Sequence, residues 1–217
     1  MGSLIKTFSN LSDALDKDFT WRKNELYHIS KNLRTGTTAK DKAFIRSAIP
    51  ILYAHWEGFA KNSTSYYIEF VKYQRLNHYE LQTQFIALSL KNKLNLLDIN
   101  NIEAQTNILE SLINDFGSRS NIPHKDVIKT RSNLKFSVFR EILFIIGIDV
   151  ALFISYSELI DDLVDARNHI AHGQYLKVDK PTFDRMYRET LNVMTKLKTE
   201  IENSAVQKKY MDVKAYL

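Results

Sequence analysis

The sequence predicts an all-α protein, a bundle of about five to seven helices, on three observations. Gly and Pro, which punctuate sheets and turns, are scarce, with 6 and 3 copies in 217 residues. Apolar residues make up 44% of the chain and charged residues 25%, as in soluble globular domains. Apolar residues also recur at the helical period along most of the chain. We therefore expect residues 1–217 to form a single helical domain.

The first half of the chain predicts four helices. The first spans about residues 11–33, with Ser9 or Asn10 as its cap, and stops near Gly36. The second opens at Thr38 and runs to about residue 73, and any kink in it is expected at Pro50. Two shorter helices are predicted at about residues 79–91 and 101–113.

An irregular, basic insertion is predicted at about residues 115–134. The helical period is lost there, and Gly117, Pro123 and several Ser and Asn residues are typical of a loop. Between Asp115 and Arg140 six basic residues stand against two acidic ones, so most of the formal net charge of +5 lies in this stretch. A local excess of positive charge favours an anionic partner.

Three helices are predicted after the insertion. One spans about residues 136–146 and ends at Gly147. The next is capped by Ser155 or Ser157, ends at about His172 with Gly173 as its stop, and is expected to lie at the centre of the bundle. The last starts at Pro181.

The composition also excludes several kinds of protein. The chain has no Cys, so disulfides, thiolate metal sites and Cys nucleophiles are excluded. The N-terminal residues show no secretory signal, and the longest apolar stretch, residues 142–148, is too short to span a bilayer. We expect a cytoplasmic protein that does not bind membranes.

Arg167 is the unusual residue of the helix that ends at His172. On a helical wheel it falls inside an apolar arc that includes Leu163 and Val164, while the other polar residues lie opposite. A buried cation needs a partner or a wet cleft. The partner could be a carboxylate of another helix, and the three candidates are Glu57, Glu69 and Glu80.

The two histidines of this helix have more than one interpretation. Each alone can be a solvent-facing residue near a helix C-terminus, where a partly protonated imidazole is favourable. With Asp165, His169 and His172 form a stripe at spacings i, i+4 and i+7 that could bind zinc or manganese. We regard this metal site as the weaker alternative, because acidic and His residues on a wet helix face need no ligand.

The segment Arg167-Asn168-His169-Ile170-Ala171-His172-Gly173 resembles the Arg-x4-His motif of the HEPN superfamily. Three further segments are similar to parts of the MAE_28990/MAE_18760-like HEPN subgroup: Trp21-Arg22-Lys23-Asn24-Glu25, Tyr53-Ala54-His55-Trp56-Glu57-Gly58-Phe59 and Arg131-Ser132-Asn133-Leu134. The resemblance implies a HEPN-type bundle. It also implies a dimeric, metal-independent RNase of toxin–antitoxin or other defence systems, although some members are inactive binding modules.

The resemblance implies roles for particular residues. Arg167 and His172 would be the catalytic pair, with Asn168 as a supporting residue and no cofactor. Glu57 and His169 are auxiliary candidates, and the role of His55 stays open. RNA, a second copy of the chain and a cognate antitoxin are the expected partners. The RNA backbone would be attracted by the basic residues Lys125, Lys129, Arg131 and Lys135.

The chemistry requires the two catalytic side chains to meet at one phosphate. Arg suits the phosphate through its planar fork, and His can move protons near neutral pH. In a regular helix, however, Arg167 and His172 point about 140° apart. Either the helix loosens at Gly173, or two copies pack about a two-fold axis with the apolar arc as their interface. We favour the dimer.

Overall fold

Long helices dominate the computed structural model, which describes residues 4–35, 38–96 and 101–212. The described residues form seven α-helices and contain no β-strand, so the predicted all-α bundle is confirmed. The helices are α1 Phe8–Asn32, α2 Ala39–Tyr73, α3 Thr83–Leu94, α4 Ile102–Asp115, α5 Phe136–Ile145, α6 Ser157–Ala171 and α7 Lys180–Val206. Two 3-10 helices, His78–Glu80 and Val150–Tyr156, precede α3 and α6.

The first two helices begin at side-chain caps. α1 is capped by Thr7 rather than by the predicted Ser9 or Asn10, because Asn10 is the third helical residue and completes a capping box with Thr7. The predicted stop at Gly36 lies outside the described residues. α2 is capped by Thr38, as predicted, and continues through Pro50 to Tyr73 as one helix.

α2 is the central helix of the bundle. It packs against α1, α6 and α7, and it buries large aromatic side chains, among them Trp56, Phe59 and Tyr67. The helix that ends at His172, α6, also has three helical neighbours, α2, α5 and α7, and presents its polar face to solvent.

The segment between α4 and α5 contains no helix, from residue 116 to residue 135. It is nevertheless docked on the bundle, because the side chains of Ile122, Ile128 and Leu134 are buried. The backbone of the segment therefore has a defined path across the surface, which positions its polar groups. α4, just before it, contributes no fully buried side chain.

The residues at the ends of α5, α6 and α7 agree only in part with the predicted caps and stops. α5 is followed by Gly147 at φ +70°, as its predicted stop requires. α6 starts directly from the 3-10 helix with Tyr156 at its N-cap and no side-chain cap, so the predicted cap at Ser155 or Ser157 is wrong. Gly173 ends α6 at φ +73°, and α7 starts after Asp179 with Pro181 in its first turn.

None of the described helices is both long enough and apolar enough to cross a bilayer.

Candidate functional site

Arg167 is held between α2 and the irregular segment. Its guanidinium carbon lies 4.3 Å from the centroid of the Tyr53 ring, a cation–π contact. Its Nη2 donates to the backbone carbonyl of Ser132 and, at 3.0 Å, to Oδ1 of Asn133. These contacts fix the guanidinium from one side, and within the described part of the chain its buried Nε has no hydrogen-bond partner.

All groups that hold Arg167 are electrically neutral. Among the described residues, no carboxylate lies within ion-pairing distance of its guanidinium. Glu69 instead accepts the Ile5 N–H, and Glu80 accepts the Asn77 N–H. The interpretation of Arg167 as half of an ion pair is therefore wrong, because its positive charge has no counter-ion among the residues that the structure describes.

A strained turn presents the acceptors of Arg167. Arg131 and Ser132 have φ values of +56° and +55°, and the Asn133 N–H donates to the Thr130 carbonyl at 3.1 Å. Positive φ at both central residues defines a type I′ turn, which usually takes Gly or Asn there. The turn aims the Ser132 carbonyl and the Asn133 side chain at Arg167, so the strain coincides with the candidate site.

Tyr53 anchors this turn as well as Arg167. Its hydroxyl oxygen accepts the Leu134 N–H at 2.8 Å, directly after the turn. Two residues later the Phe136 N–H donates to Oδ1 of Asp161 on α6 at 2.7 Å. Burial raises the pKa of the Tyr53 hydroxyl, so the side chain is neutral and the cation–π contact uses an uncharged ring.

His172 lies at the end of α6 and is exposed to solvent. Its backbone N–H donates to the Asn168 carbonyl at 2.9 Å. The next two backbone N–H groups, of Gly173 and Gln174, donate to Ile170 and His169, which completes a Schellman motif. The helix end is therefore closed, and the structure gives no support to a loosening at Gly173 that would swing His172 toward Arg167.

The other polar residues of α6 form no metal site. His169 is exposed, and its Nδ1 lies 2.8 Å from the backbone carbonyl of Asp165. The Asp165 carboxylate pairs with Lys135 at 2.9 Å. Within the described ranges, no three His, Asp or Glu side chains are grouped so that they could hold a metal ion. The stripe of Asp165, His169 and His172 therefore does not converge.

The apolar arc of α6 packs inside its own chain. Leu159, Ile160, Leu163 and Val164 are buried in the core that α6 shares with α2. The arc is therefore not free to serve as an interface between two copies, which corrects that part of the expectation. Arg167 lies in the arc because it reaches Tyr53 at the edge of the contact, while Ala171, also assigned to the arc, is exposed.

The four basic residues expected to contact RNA differ in their surroundings. Arg131 pairs with Glu141 at 2.6 Å, and Lys135 pairs with Asp165 at 2.9 Å. Lys125 and Lys129 are exposed, and neither forms an ion pair with a described residue. Of these four residues, Lys125 and Lys129 are thus the ones whose charge no described carboxylate pairs.

Glu57 and His55 lie on different sides of α2. Glu57 follows Tyr53 by one turn and is close enough for its charge to raise the Tyr53 pKa, after the larger effect of burial. His55 instead belongs to a second polar cluster, where its Nε2 is 3.6 Å from a Glu25 oxygen. Glu57 therefore borders the Arg167 site, whereas His55 lies outside it.

Sequence reasoning did not assign Tyr53, Ser132 and Asn133 to the site. These residues are distant in sequence from Arg167, and no periodic pattern connects them. The available signal was the resemblance of two segments, Tyr53–Phe59 and Arg131–Leu134, to parts of one family. The structure brings both segments to the end of α6 that carries Arg167.

Comparison with known proteins identifies the family. No curated protein and no solved structure gives a significant match. The family model described as RiboL-PSP-HEPN matches residues 17–203, which include Tyr53, the irregular segment and all of α6. The superfamily expected from the Arg-x4-His motif is confirmed, and the matched family bears a different name from the subgroup that the segments resemble. HEPN domains are often RNases, which indicates a nuclease-like or RNA-binding module. The chain belongs to the RiboL-PSP-HEPN family of the HEPN superfamily.

Proposed function

We propose that this protein is a metal-independent endoribonuclease of a toxin–antitoxin or antiphage defence system. The observation that carries the proposal is the Arg167 charge, which neutral groups hold in place and no described carboxylate neutralises. A preorganised cation of this kind suits a phosphate whose negative charge increases in the transition state. Its exposed neighbour on the same helix, His172, is the candidate for proton transfer.

The proposed reaction is attack of a ribose 2′-hydroxyl on the adjacent phosphorus. The O2′–P bond forms as a base removes the hydroxyl proton, and the P–O5′ bond breaks as an acid protonates the leaving oxygen. The products are a 2′,3′-cyclic phosphate and a 5′-hydroxyl. Arg167 holds the phosphate oxygens. The backbone carbonyl of Asn168 accepts the His172 N–H and so supports the end of α6.

In this proposal, a second copy of the chain is needed to bring histidine and arginine side chains to the same phosphate. One α6 cannot bring Arg167 and His172 to one phosphate, because the closed helix end fixes their directions. Two copies related by a two-fold axis would present two histidines, one as base and one as acid. The exposed residues around His172, including Ala171 and Tyr175, are the surface that such a dimer would use.

The test is cleavage of single-stranded RNA in the presence of EDTA. We expect wild-type protein to release fragments with 2′,3′-cyclic phosphate ends, and His172→Ala to lose about 10²- to 10⁴-fold in rate with its melting temperature nearly unchanged. His28→Ala is the matched control, because His28 is an exposed histidine of α1 outside the candidate site and should remain active. Equal activity of wild type and His172→Ala would refute the assignment.

Two further measurements complete the test. Arg167→Lys keeps the charge but loses the planar fork, so we expect a large loss of cleavage in a folded protein. Light scattering should give a dimer at micromolar concentration. Binding of RNA without cleavage by any form would instead identify a catalytically silent module, the alternative that HEPN membership leaves open.

A further inference from the structure

Trp21 is an exposed tryptophan whose ring is held rigidly on α1. The residue is 46% exposed, yet its Nε1 donates to Oδ1 of Asp18 at 3.1 Å. The guanidinium carbon of Arg22 lies 4.6 Å from the ring centroid, and the His55 ring lies 5.2 Å away. Because both neighbours are buried, they support the indole from the protein side, and the rest of the ring faces solvent.

The support beneath Trp21 is a buried ion pair. Arg22 and Asp18 are each only 7% exposed, with Arg22 Nε 3.0 Å from Oδ2 of Asp18. Asn62 donates to the same carboxylate at 3.3 Å. Gly58 makes room for the guanidinium, since a Cβ at that position would lie 2.6 Å from Nη1 of Arg22. The pair is therefore satisfied, and it fixes the position of the indole.

Trp21 lines a groove of about 790 Å³ between α1, α2 and the irregular segment. The groove has a second aromatic side chain, Tyr66, and its cations are Lys17 and Lys125. His124 also lines it, and burial with the adjacent charge of Lys72 lowers the His124 pKa, so this imidazole is neutral at pH 7. Aromatic faces flanked by lysines are the usual elements of a single-strand-binding surface.

Three carboxylates line the groove, and two of them have partners within the protein. Asp18 is neutralised by Arg22, and Glu69 accepts the Ile5 N–H at 3.2 Å. Asp13 lies in the lining as well. Carboxylates accept hydrogen bonds from ribose hydroxyls and exocyclic amino groups, which a ribonucleotide offers in addition to its phosphate.

The irregular segment connects this groove with Arg167. It runs from His124 and Lys125 in the groove, past the exposed Lys129, to Ser132 and Asn133 at the guanidinium. Nine residue steps span at most about 32 Å, so a strand of several nucleotides along the segment could reach both places. The groove itself faces away from Arg167, because Tyr66 and Glu69 lie roughly opposite Tyr53 around α2.

We propose that Trp21 is a stacking platform for an unpaired base of single-stranded RNA, with Lys17 and Lys125 contacting the neighbouring phosphates. The choice of RNA as ligand rests on the proposed function. A protein ligand is the other class that an exposed tryptophan could serve, but the flanking lysines and the lysine-bearing path to Arg167 favour a polyanion. Because the groove is remote from Arg167, the platform acts on binding and not on the chemical step.

Intrinsic fluorescence provides the test, since the chain has 2 Trp and the other, Trp56, is fully buried. The His172→Ala protein is titrated with oligouridylate of about 12 nucleotides, within the span of known single-strand sites. We expect saturable quenching that disappears in His172→Ala/Trp21→Phe. Anisotropy of a labelled oligonucleotide should show affinity retained by Trp21→Phe and lowered about 5- to 100-fold by Trp21→Ala. Tyr27→Ala is the control, because Tyr27 is an exposed aromatic of α1 outside the groove.

A second set of variants does not depend on the folding of Trp21→Ala. Replacing Lys17 and Lys125 by Ala should make the negative slope of log affinity against log salt less steep, by about 0.7 for each lost phosphate contact. In the cleaving protein, Trp21→Ala should raise KM and leave kcat unchanged.

The outcomes separate the two proposals. Cleavage with unchanged KM, affinity and quenching in the Trp21 variants overturns the platform and leaves the endoribonuclease intact. Trp21-dependent binding without cleavage overturns the endoribonuclease and leaves the platform. The absence of both RNA binding and cleavage overturns both, and a protein ligand would then be the remaining class for the groove.

Discussion

The guanidinium of Arg167 stacks on the ring of Tyr53, with 4.3 Å between the guanidinium carbon and the ring centroid. The contact joins α6, which carries the family motif, to α2, the central helix of the bundle. Tyr53 also accepts the N–H of Leu134, so the same side chain fixes the turn that supplies the acceptors of Arg167. The candidate phosphate site is therefore built from three separate parts of the chain.

Asn133→Asp tests the importance of the neutral acceptors. The carboxylate would form a charge-assisted bond to Arg167 and neutralise it. We expect no loss of thermal stability but a fall in RNA cleavage of about tenfold or more, because phosphate binding would compete with the new ion pair. Asn121→Asp is the matched control, since it adds the same charge to an exposed position of the same segment. A variant as active as wild type would show that the Arg167 charge is not used.

Ser132→Gly separates the backbone of the turn from the Ser132 side chain. Arg167 contacts the Ser132 carbonyl, and φ of +55° is unstrained for Gly, so we expect full activity and a stability change within about 0.5 kcal/mol. Ser132→Val should cost about 1–2 kcal/mol in unfolding free energy and reduce cleavage. Asp126→Val is the control, because Asp126 has the same φ but no contact with Arg167. Its unfolding free energy should fall similarly while its cleavage persists.

The sequence predicted the helices better than it predicted the site. Periodicity and caps such as Thr38 and Gly173 are local signals, so α2 and α6 were found nearly at their observed bounds. The start of α6 was mispredicted because a 3-10 helix leads into it and replaces a side-chain cap. The partners of Arg167 could not be predicted from helix periods, because a turn in an irregular segment supplies them. An arginine among apolar residues suggested a carboxylate partner, but a ring and two neutral oxygens provide the contacts.

The buried His55 predicts a pH dependence of stability. Burial is the main cause that lowers its pKa below the usual 6.5, the charge of Glu25 acts in the opposite direction, and the charge of Arg22 adds a smaller lowering effect. The unfolded state therefore binds the proton more readily than the native state. The contribution of neutral His55 to the free energy of unfolding is complete above about pH 6.5 and is lost as the pH falls toward the native-state pKa. We expect the melting temperature to decrease in that window.

The variant His55→Gln should show a shallower decrease over the same pH window. His124 has a pKa lowered in the same direction, so part of the dependence should remain. His28→Gln, at an exposed position of α1, is the control and should keep the wild-type profile. An unchanged profile in His55→Gln would assign the pH dependence to other groups.

The close approach of Arg22 to Gly58 predicts that Gly58→Ala changes the free energy of unfolding in opposite directions in two backgrounds. Gly in a helix interior is normally less stable than Ala by about 1 kcal/mol, so Gly58→Ala should stabilise a protein with free space at this position. Here the new Cβ would lie 2.6 Å from Nη1 and 2.9 Å from Nη2 of a guanidinium that Asp18 holds in place. We therefore expect Gly58→Ala to destabilise the wild type, and to stabilise a variant in which Asp18 and Arg22 are both replaced by Ala, which leaves no stranded charge. Denaturant unfolding of the four proteins measures this coupling. Stabilisation of equal size in both backgrounds would mean that the guanidinium moves aside without cost.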